Sequence, residues 1–206
     1  MAKLTPQRQR GDLLQGADQG DTMLSMPEVA LHREQRLVEL GQDIAHAAYL
    51  RGRFVLRSGI TSNYYFDKYL FETKPNLLRR VASFLAELVP QGTDRLAGPE
   101  LGGVALATAV SLDLGLPFVI VRKAQKSYAT TSQIEGELYP GERVAVLEDV
   151  VTTGSAAIQS AQALRRAGAI VQDAIVVIDR EEGAAEALAA EGLQFWTLFR
   201  RSQLDL

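Results

Sequence analysis

From residue 27 onward the apolar positions recur with two periods. Leu37, Leu40, Ile44, Ala47 and Ala48 fall at helical spacing, which predicts an amphipathic helix to about residue 50. Phe54-Val55-Leu56-Arg57-Ser58-Gly59 and Tyr64-Tyr65-Phe66-Asp67 follow, and the aromatic run with its Ser-Gly turn predicts a hairpin. Leu77, Leu78, Val81, Phe84, Leu85 and Leu88 form one helical stripe opposite Arg79, Arg80 and Glu87, stopped by Pro90. After that the apolar runs shorten. Those at 95–97, 117–121, 144–147, 174–178 and 195–199 read as strands, with Trp196 of the last expected in the core. Helical stretches ending near 114 and covering 156–167 and 184–190 lie between them, while 122–143 reads as irregular. Alternating strands and helices imply an α/β fold with a mostly parallel central sheet, and right-handed crossovers put helices on both faces. Ligands of such sheets sit beyond the carboxyl ends of the strands. The residues after Ala97, Val121, Leu147 and Ile178 should therefore converge on one crevice. Residues 1–26, polar and with little periodicity, read as a flexible tail, and 27–206 as a single domain. His32 and His46, isolated in the first helical stretch, read as ordinary helix residues.

Composition narrows the function. A chain of 206 residues, 47% hydrophobic, is long enough for one well-packed core. The absence of cysteine excludes disulfides, thiolate catalysis and cysteine-type zinc sites, and fits a reducing, cytoplasmic setting. A formal net charge of −3 argues against nucleic-acid binding through bulk charge. No apolar stretch approaches the ~20 residues of a membrane span, and the N-terminus shows no secretory h-region. If the ligand is an anion, a net-negative chain must concentrate its bases locally.

The informative segment is Glu148-Asp149-Val150-Val151-Thr152-Thr153-Gly154-Ser155-Ala156, which joins a buried strand to a helix. Thr152, Thr153 and Ser155 offer hydroxyls, Gly154 permits a tight turn, and the free N–H groups of the helix start point into it. Together they make a cup for a phosphate monoester. Two acids beside a phosphate cup repel the phosphate but accept hydrogen bonds from vicinal hydroxyls, which suits a ribose 5-phosphate. On turn chemistry alone an N-cap cluster with solvated acids stands as an equal alternative. Neither the P-loop nor the dinucleotide-binding glycine pattern is present. Between Phe118 and Ile134 lie Arg122, Lys123 and Lys126 with no acid, either a mobile anion clamp or a solvated loop.

Residues 144–156 resemble the phosphoribosyl-pyrophosphate (PRPP) motif of type I phosphoribosyltransferases: four apolar residues, two acids, two apolar residues, then Thr-Thr-Gly. Three further segments are similar to orotate phosphoribosyltransferases: the hairpin, the run Val121-Arg122-Lys123-Ala124-Gln125-Lys126-Ser127-Tyr128, and Ile178-Asp179-Arg180-Glu181-Glu182-Gly183. The resemblance spans about residues 30–200. It implies the type I phosphoribosyltransferase fold, with a small hood at about 27–70 over a core at about 71–206. It also implies transfer of the 5-phosphoribosyl group from PRPP to orotate, giving orotidine 5′-phosphate and pyrophosphate in pyrimidine synthesis. PRPP would be held by Glu148, Asp149, Val150, Val151, Thr152, Thr153, Gly154, Ser155 and Ala156, with Glu100 and Gly102 at the pyrophosphate. Arg122, Lys123, Lys126 and Tyr128 would be catalytic, meeting the charge that grows on the leaving pyrophosphate. Thr152, Arg180, Tyr65, Phe66 and Arg57 would hold orotate, Arg180 through its planar fork, although an ion pair with a neighbouring acid is the alternative fate of that arginine. Mg²⁺ is implied as a cation carried by PRPP rather than by a protein cage. A homodimer sharing the basic loop across subunits is implied as well.

This chain departs from the family pattern at several positions. Many members have Lys at the positions of Arg57 and Gly102, an acid at Ala124 and His at Tyr128. Ala129, Thr130 and Thr131 replace loop glycines. Two alternatives remain at this stage: a type I enzyme for a purine base, which would leave Arg180 without a carboxylate, and a PRPP-binding regulator that has lost catalysis.

Overall fold

The structure is a computed structural model and describes residues 26–55, 59, 61–123 and 133–204. Arg57, Lys126, Tyr128 and nearly all of the 1–26 segment therefore lie outside the described residues. Helix α1 (Met26–Ala48) is followed directly by strand β1 (Tyr49–Val55), which pairs antiparallel with β2 (Thr61–Phe66). The helix ends two residues earlier than its periodicity suggests, because Tyr49 and Leu50 pair with Phe66 and Tyr65 across the hairpin. A four-residue helix, α2 (Tyr69–Glu72), has no sequence-level counterpart, being too short for a helical stripe. Helix α3 (Pro75–Leu88) starts on a proline at its first turn, where no N–H bond is lost.

The core is a six-stranded sheet. Its strands are β3 (Arg95–Pro99), β4 (Phe118–Val121), β5 (Ile134–Glu135), β6 (Arg143–Val151), β7 (Ile170–Asp179) and β8 (Gln194–Arg200). Their spatial order is β5-β4-β3-β6-β7-β8, and every pairing is parallel except that of the short β5. Helices α4 (Gly102–Leu114), α5 (Ser155–Arg166) and α6 (Ala184–Ala190) make the crossovers. The predicted strands are present, but most are longer than their apolar runs. β6 carries on through Glu148 and Asp149 because pairing with β7 continues to Val151↔Asp179.

Successive residues of the strands serve two cores. Leu96, Ala145, Leu147, Ile175 and Val177 pack with Leu40, Ile44, Phe71, Val81 and Leu85 of α1–α3 and Leu106 of α4. Ala97, Val144, Val146, Ala174 and Val176 pack with Ala161 and Leu164 of α5 and Leu188 of α6. Each large buried side chain contributes about 1.5–3 kcal/mol, so the sheet is clamped from both faces and its strand ends are fixed relative to one another. At the opposite edge Arg95 donates two hydrogen bonds to Glu142, Nε at 2.8 Å and Nη2 at 2.7 Å, tying β3 to the turn that leads into β6. Trp196 is not a core residue: β8 is an edge strand, and the indole is 37% exposed with its Nε1–H donating to Asp173 at 3.0 Å.

Candidate active site

The carboxyl ends of β3, β4, β6 and β7 gather the sequence-selected residues at one rim, as the topology requires. At the end of β6 the chain turns through Thr152 and Thr153, and Gly154 caps α5 with φ +75° and ψ 1°. A side chain at Gly154 would be strained by that φ and would meet Leu188 Cγ at 3.2 Å. No side chain caps α5, so its first-turn N–H groups face the turn beside the hydroxyls of Thr152, Thr153 and Ser155. Thr153, Ser155 and Ala156 are exposed and Thr152 is half-buried. This is an open cup of neutral donors at a helix start, suited to a phosphate. Val151 is buried in the core and reaches the site only through its backbone, where its carbonyl accepts from the N–H of Arg180 at 3.0 Å.

The acid pair is buried. Glu148 and Asp149 are 6% and 0% exposed, and a third acid, Glu72 at the end of α2, joins them at 4%. Among the described residues one cation answers the three: Lys68 Nζ lies 2.9 Å from Asp149 Oδ1 and 2.7 Å from Oδ2. Burial works against the charge of Lys68, but the charge of Asp149 and their hydrogen bond, with Glu148 behind, outweigh it and raise its pKa. Burial first, then a hydrogen bond with Asp149 and that group's charge, pushes Glu72 up to about 9. Burial and the Asp149 charge likewise push Glu148 up to about 8. Glu148 Oε2 and Glu72 Oε1 accept no hydrogen bond among the described residues. Buried acceptors without donors are costly, and the hydroxyls of a diol are the donors that would satisfy them. Gly102 makes the cluster possible, since a Cβ there would sit 1.6 Å from Asp149 Oδ2 and 2.8 Å from Glu72 Oε1.

Glu100 does not stand as a free acid at this rim. It follows β3, its Oε1 accepts the backbone N–H of Lys123 at 2.6 Å, and its Oε2 lies 3.9 Å from Arg122 Nε. Arg122 also faces Glu135 at 3.6 Å. Glu100 thus holds the start of the basic segment, and the two share a pocket with Ala156, Gln159 and Ser160 of α5. Arg122 and Lys123 are brought next to the phosphate cup; the rest of the segment lies outside the described residues.

On the far side of β6 a second pocket is lined by Tyr64, Phe66, Val150, Ile178, Arg180 and Arg201. Phe66 and Arg180 meet here, with Val150 beside them. The aromatic partner is Tyr64 rather than Tyr65. Alternation along β2 puts Tyr64 and Phe66 on one face and Tyr65 on the other, where its ring packs against Phe54 with centroids 5.6 Å apart. Tyr64 stacks on Tyr49 at 5.2 Å. Arg180 Nη2 lies 3.2 Å from Glu182, so the ion-pair alternative is realised in part while the guanidinium still lines the pocket. Sequence reasoning missed Lys68, Glu72, Tyr64 and Arg201. For Lys68 a signal was available, a lone base directly after the hairpin acid Asp67.

A phosphate cup, a buried acid pair and a guanidinium-lined aromatic pocket along one strand end define a phosphoribosyltransferase. Residues 71–191 match the phosphoribosyl transferase domain family. An orotate phosphoribosyltransferase of Methanocella arvoryzae is 48% identical over 153 residues, covering 74% of this chain and 87% of the relative. The crystal structure of the Mycobacterium tuberculosis orotate phosphoribosyltransferase with Fe(III) dicitrate superposes with a TM-score of 0.76 at 31% identity, covering 83% of this chain and 99% of that one. The same enzyme solved with PRPP gives 0.71 at 30% identity, covering 83% and 99%. The chain belongs to the phosphoribosyltransferase family and, within it, to the orotate phosphoribosyltransferases.

Proposed function

We propose that this chain transfers the 5-phosphoribosyl group of PRPP to orotate in pyrimidine nucleotide synthesis. The C1′–O bond to pyrophosphate breaks, a bond from C1′ to the ring nitrogen of orotate forms, and that nitrogen gives up its proton. The observation that carries the assignment of the two ends is the shared strand. β6 presents the acid pair and then the phosphate cup, and its Val150 lines the pocket with Arg180. In this reading residues Thr152 to Ala156 hold the 5-phosphate. Glu148 and Asp149 accept from the ribose hydroxyls. Arg122, Lys123, Lys126 and Tyr128 meet the departing pyrophosphate, with Gly102 leaving room at its end of the rim. Tyr64 and Phe66 sandwich the planar ring while Arg180 and the Thr152 hydroxyl reach its polar edge.

Among the described residues no group of three or more His, Asp or Glu is arranged to hold a metal ion. The donor set instead fits Mg²⁺ arriving on the diphosphate, where a hard cation takes phosphate, hydroxyl and water oxygens. Bound in that way it would neutralise diphosphate charge. We further propose a homodimer in which the segment beginning at Arg122 serves the neighbouring subunit. No helix among the described residues is long and apolar enough to cross a membrane, and a cysteine-free chain suits the cytoplasm, the setting proposed here.

The test is PRPP consumption with and without Mg²⁺, following orotidine 5′-phosphate and pyrophosphate. Orotate-dependent turnover is expected. Turnover with adenine or guanine but not orotate overturns the base assignment, and PRPP binding with no turnover of any base overturns the enzyme. The guanidinium of Arg180 at the aromatic pocket supports orotate over a purine, since a neutral base offers it no carboxylate to bind.

A further inference from the structure

β7 and β8 run parallel, and their last paired residues are Asp179 and Arg200. The next residue on each strand is an arginine, Arg180 and Arg201, so the two leave the sheet at the same height on neighbouring strands. Both line the pocket formed with Tyr64, Phe66, Val150 and Ile178. Their circumstances differ. Arg180 has Glu182 at 3.2 Å, whereas the charge of Arg201 acts on Glu181 and helps to lower its pKa.

The turn that carries Arg201 is not loose. Asp179, itself 6% exposed, accepts the N–H of Glu181 at 2.9 Å and bends the chain after β7. Glu181 takes up φ +59°, uncommon for a residue with a side chain. From there its carboxylate reaches the short C-terminal turn Arg201–Gln203, accepting the Ser202 N–H at 2.9 Å and the Ser202 hydroxyl at 3.0 Å. Gln203 closes the same turn by accepting the Arg200 N–H at 2.7 Å. These bonds to Ser202 hold Glu181 below its usual pKa, so the clasp persists at neutral pH. A strained residue whose carboxylate serves a neighbouring turn is a holding device, and the residue it holds in register is Arg201.

We propose that Arg201 is a second, specificity-determining cation of the base pocket, which with Arg180 brackets the carboxylate of a planar heteroaromatic acid, and that Glu181 positions it through Ser202. This rests on the orotate reading and adds a residue to it. Two guanidiniums at one pocket make the site selective for a carboxylated ring, because an uncharged ring offers neither of them a carboxylate to bind. Charge-assisted hydrogen bonds to carboxylates are the strong ones.

The experiment compares Arg201→Gln, Arg201→Lys and Glu181→Gly with the unmodified enzyme. It reads KM for orotate, KM for PRPP, and inhibition by orotamide, the same ring with a neutral amide. Arg201→Gln is expected to raise the orotate KM about tenfold or more, with the PRPP KM and orotamide inhibition within about twofold. Arg201→Lys should recover part of the loss. Glu181→Gly relieves the positive φ while removing both bonds to Ser202, so a raised orotate KM with an unchanged PRPP KM supports positioning rather than strain. An orotate KM within about twofold in Arg201→Gln, or an equal loss for orotate and orotamide, overturns the proposal. An unchanged orotate KM in Glu181→Gly overturns the positioning role. Failure of the unmodified enzyme to use orotate overturns the reading of the site and this proposal with it.

Discussion

Glu72 offers a measurable consequence of placing three buried acids around one lysine. Its pKa is about 9 in the fold against an ordinary value of 4.5. The native state therefore keeps a proton that the unfolded chain has lost throughout that window. For an acid raised in this way, stability is full below about pH 4.5 and falls as pH rises toward 9. One proton of linkage sets a limit of about 1.4 kcal/mol per pH unit. Lys68 already acts within that pKa and Glu72 is buried, so the slope stays close to that limit between about pH 5.5 and 8. Glu72→Gln keeps the shape and a donor toward Asp149 but cannot ionise. Urea unfolding at pH 5.5, 6.5, 7.5 and 8.5 should show the variant gaining on the unmodified protein by about 1.4 kcal/mol per pH unit, less in the last step, with equal m-values. Lys68→Met should steepen the decline, since Lys68 lowers both raised acids. A difference between Glu72→Gln and the unmodified protein that stays flat with pH, or reverses at pH 8.5, would refute the shared-proton cluster.

Other consequences are simpler. Gly102→Ala puts a methyl 1.6 Å from Asp149 Oδ2, and the backbone or the acid must move. PRPP kcat/KM should fall at least tenfold with about 2–3 kcal/mol of stability lost, checked by steady-state kinetics beside thermal unfolding. Arg95→Met leaves Glu142 without its two-pronged partner far from the chemistry. About 2–4 kcal/mol should be lost with the KM values of the folded enzyme unchanged. Lys123→Ala and Lys126→Ala should lower kcat far more than PRPP affinity; an unchanged kcat in both would remove the basic segment from catalysis.

How much was legible in the sequence depends on the length scale over which each feature is determined. The parallel sheet and the turn after β6 were readable because apolar runs and a contiguous motif are local. The strand ends were not, because continuation through Glu148 and Asp149 is decided by pairing with β7. The phase of the aromatic run was missed for a related reason. Which of Tyr64 and Tyr65 faces the base pocket is set by register with β1, where pairing shifts between Arg51 and Phe54. Glu72 was invisible because a four-residue helix has no periodicity, and its neighbours Asp149 and Gly102 are distant in the chain. Arg201 is found only by asking which strand lies beside β7. Trp196 was misjudged because composition says nothing about which strand is an edge.

The same dispersal explains how a chain of net charge −3 serves a highly anionic substrate. The phosphate cup contributes donors and a helix dipole but no formal charge. The acids that would repel the substrate are muted where they stand. Asp149 is paired with Lys68, and burial favours the protonated forms of Glu72 and Glu148. The formal cations are set at the two ends of the site, Arg122 and Lys123 beside the cup and Arg180 with Arg201 at the aromatic pocket. Charge is thus placed where the substrates are anionic at the start and end of the reaction, and removed from the middle, where C1′ turns positive only in transit. A site with its bases spread evenly would bind PRPP more tightly and oppose the bond cleavage it has to assist.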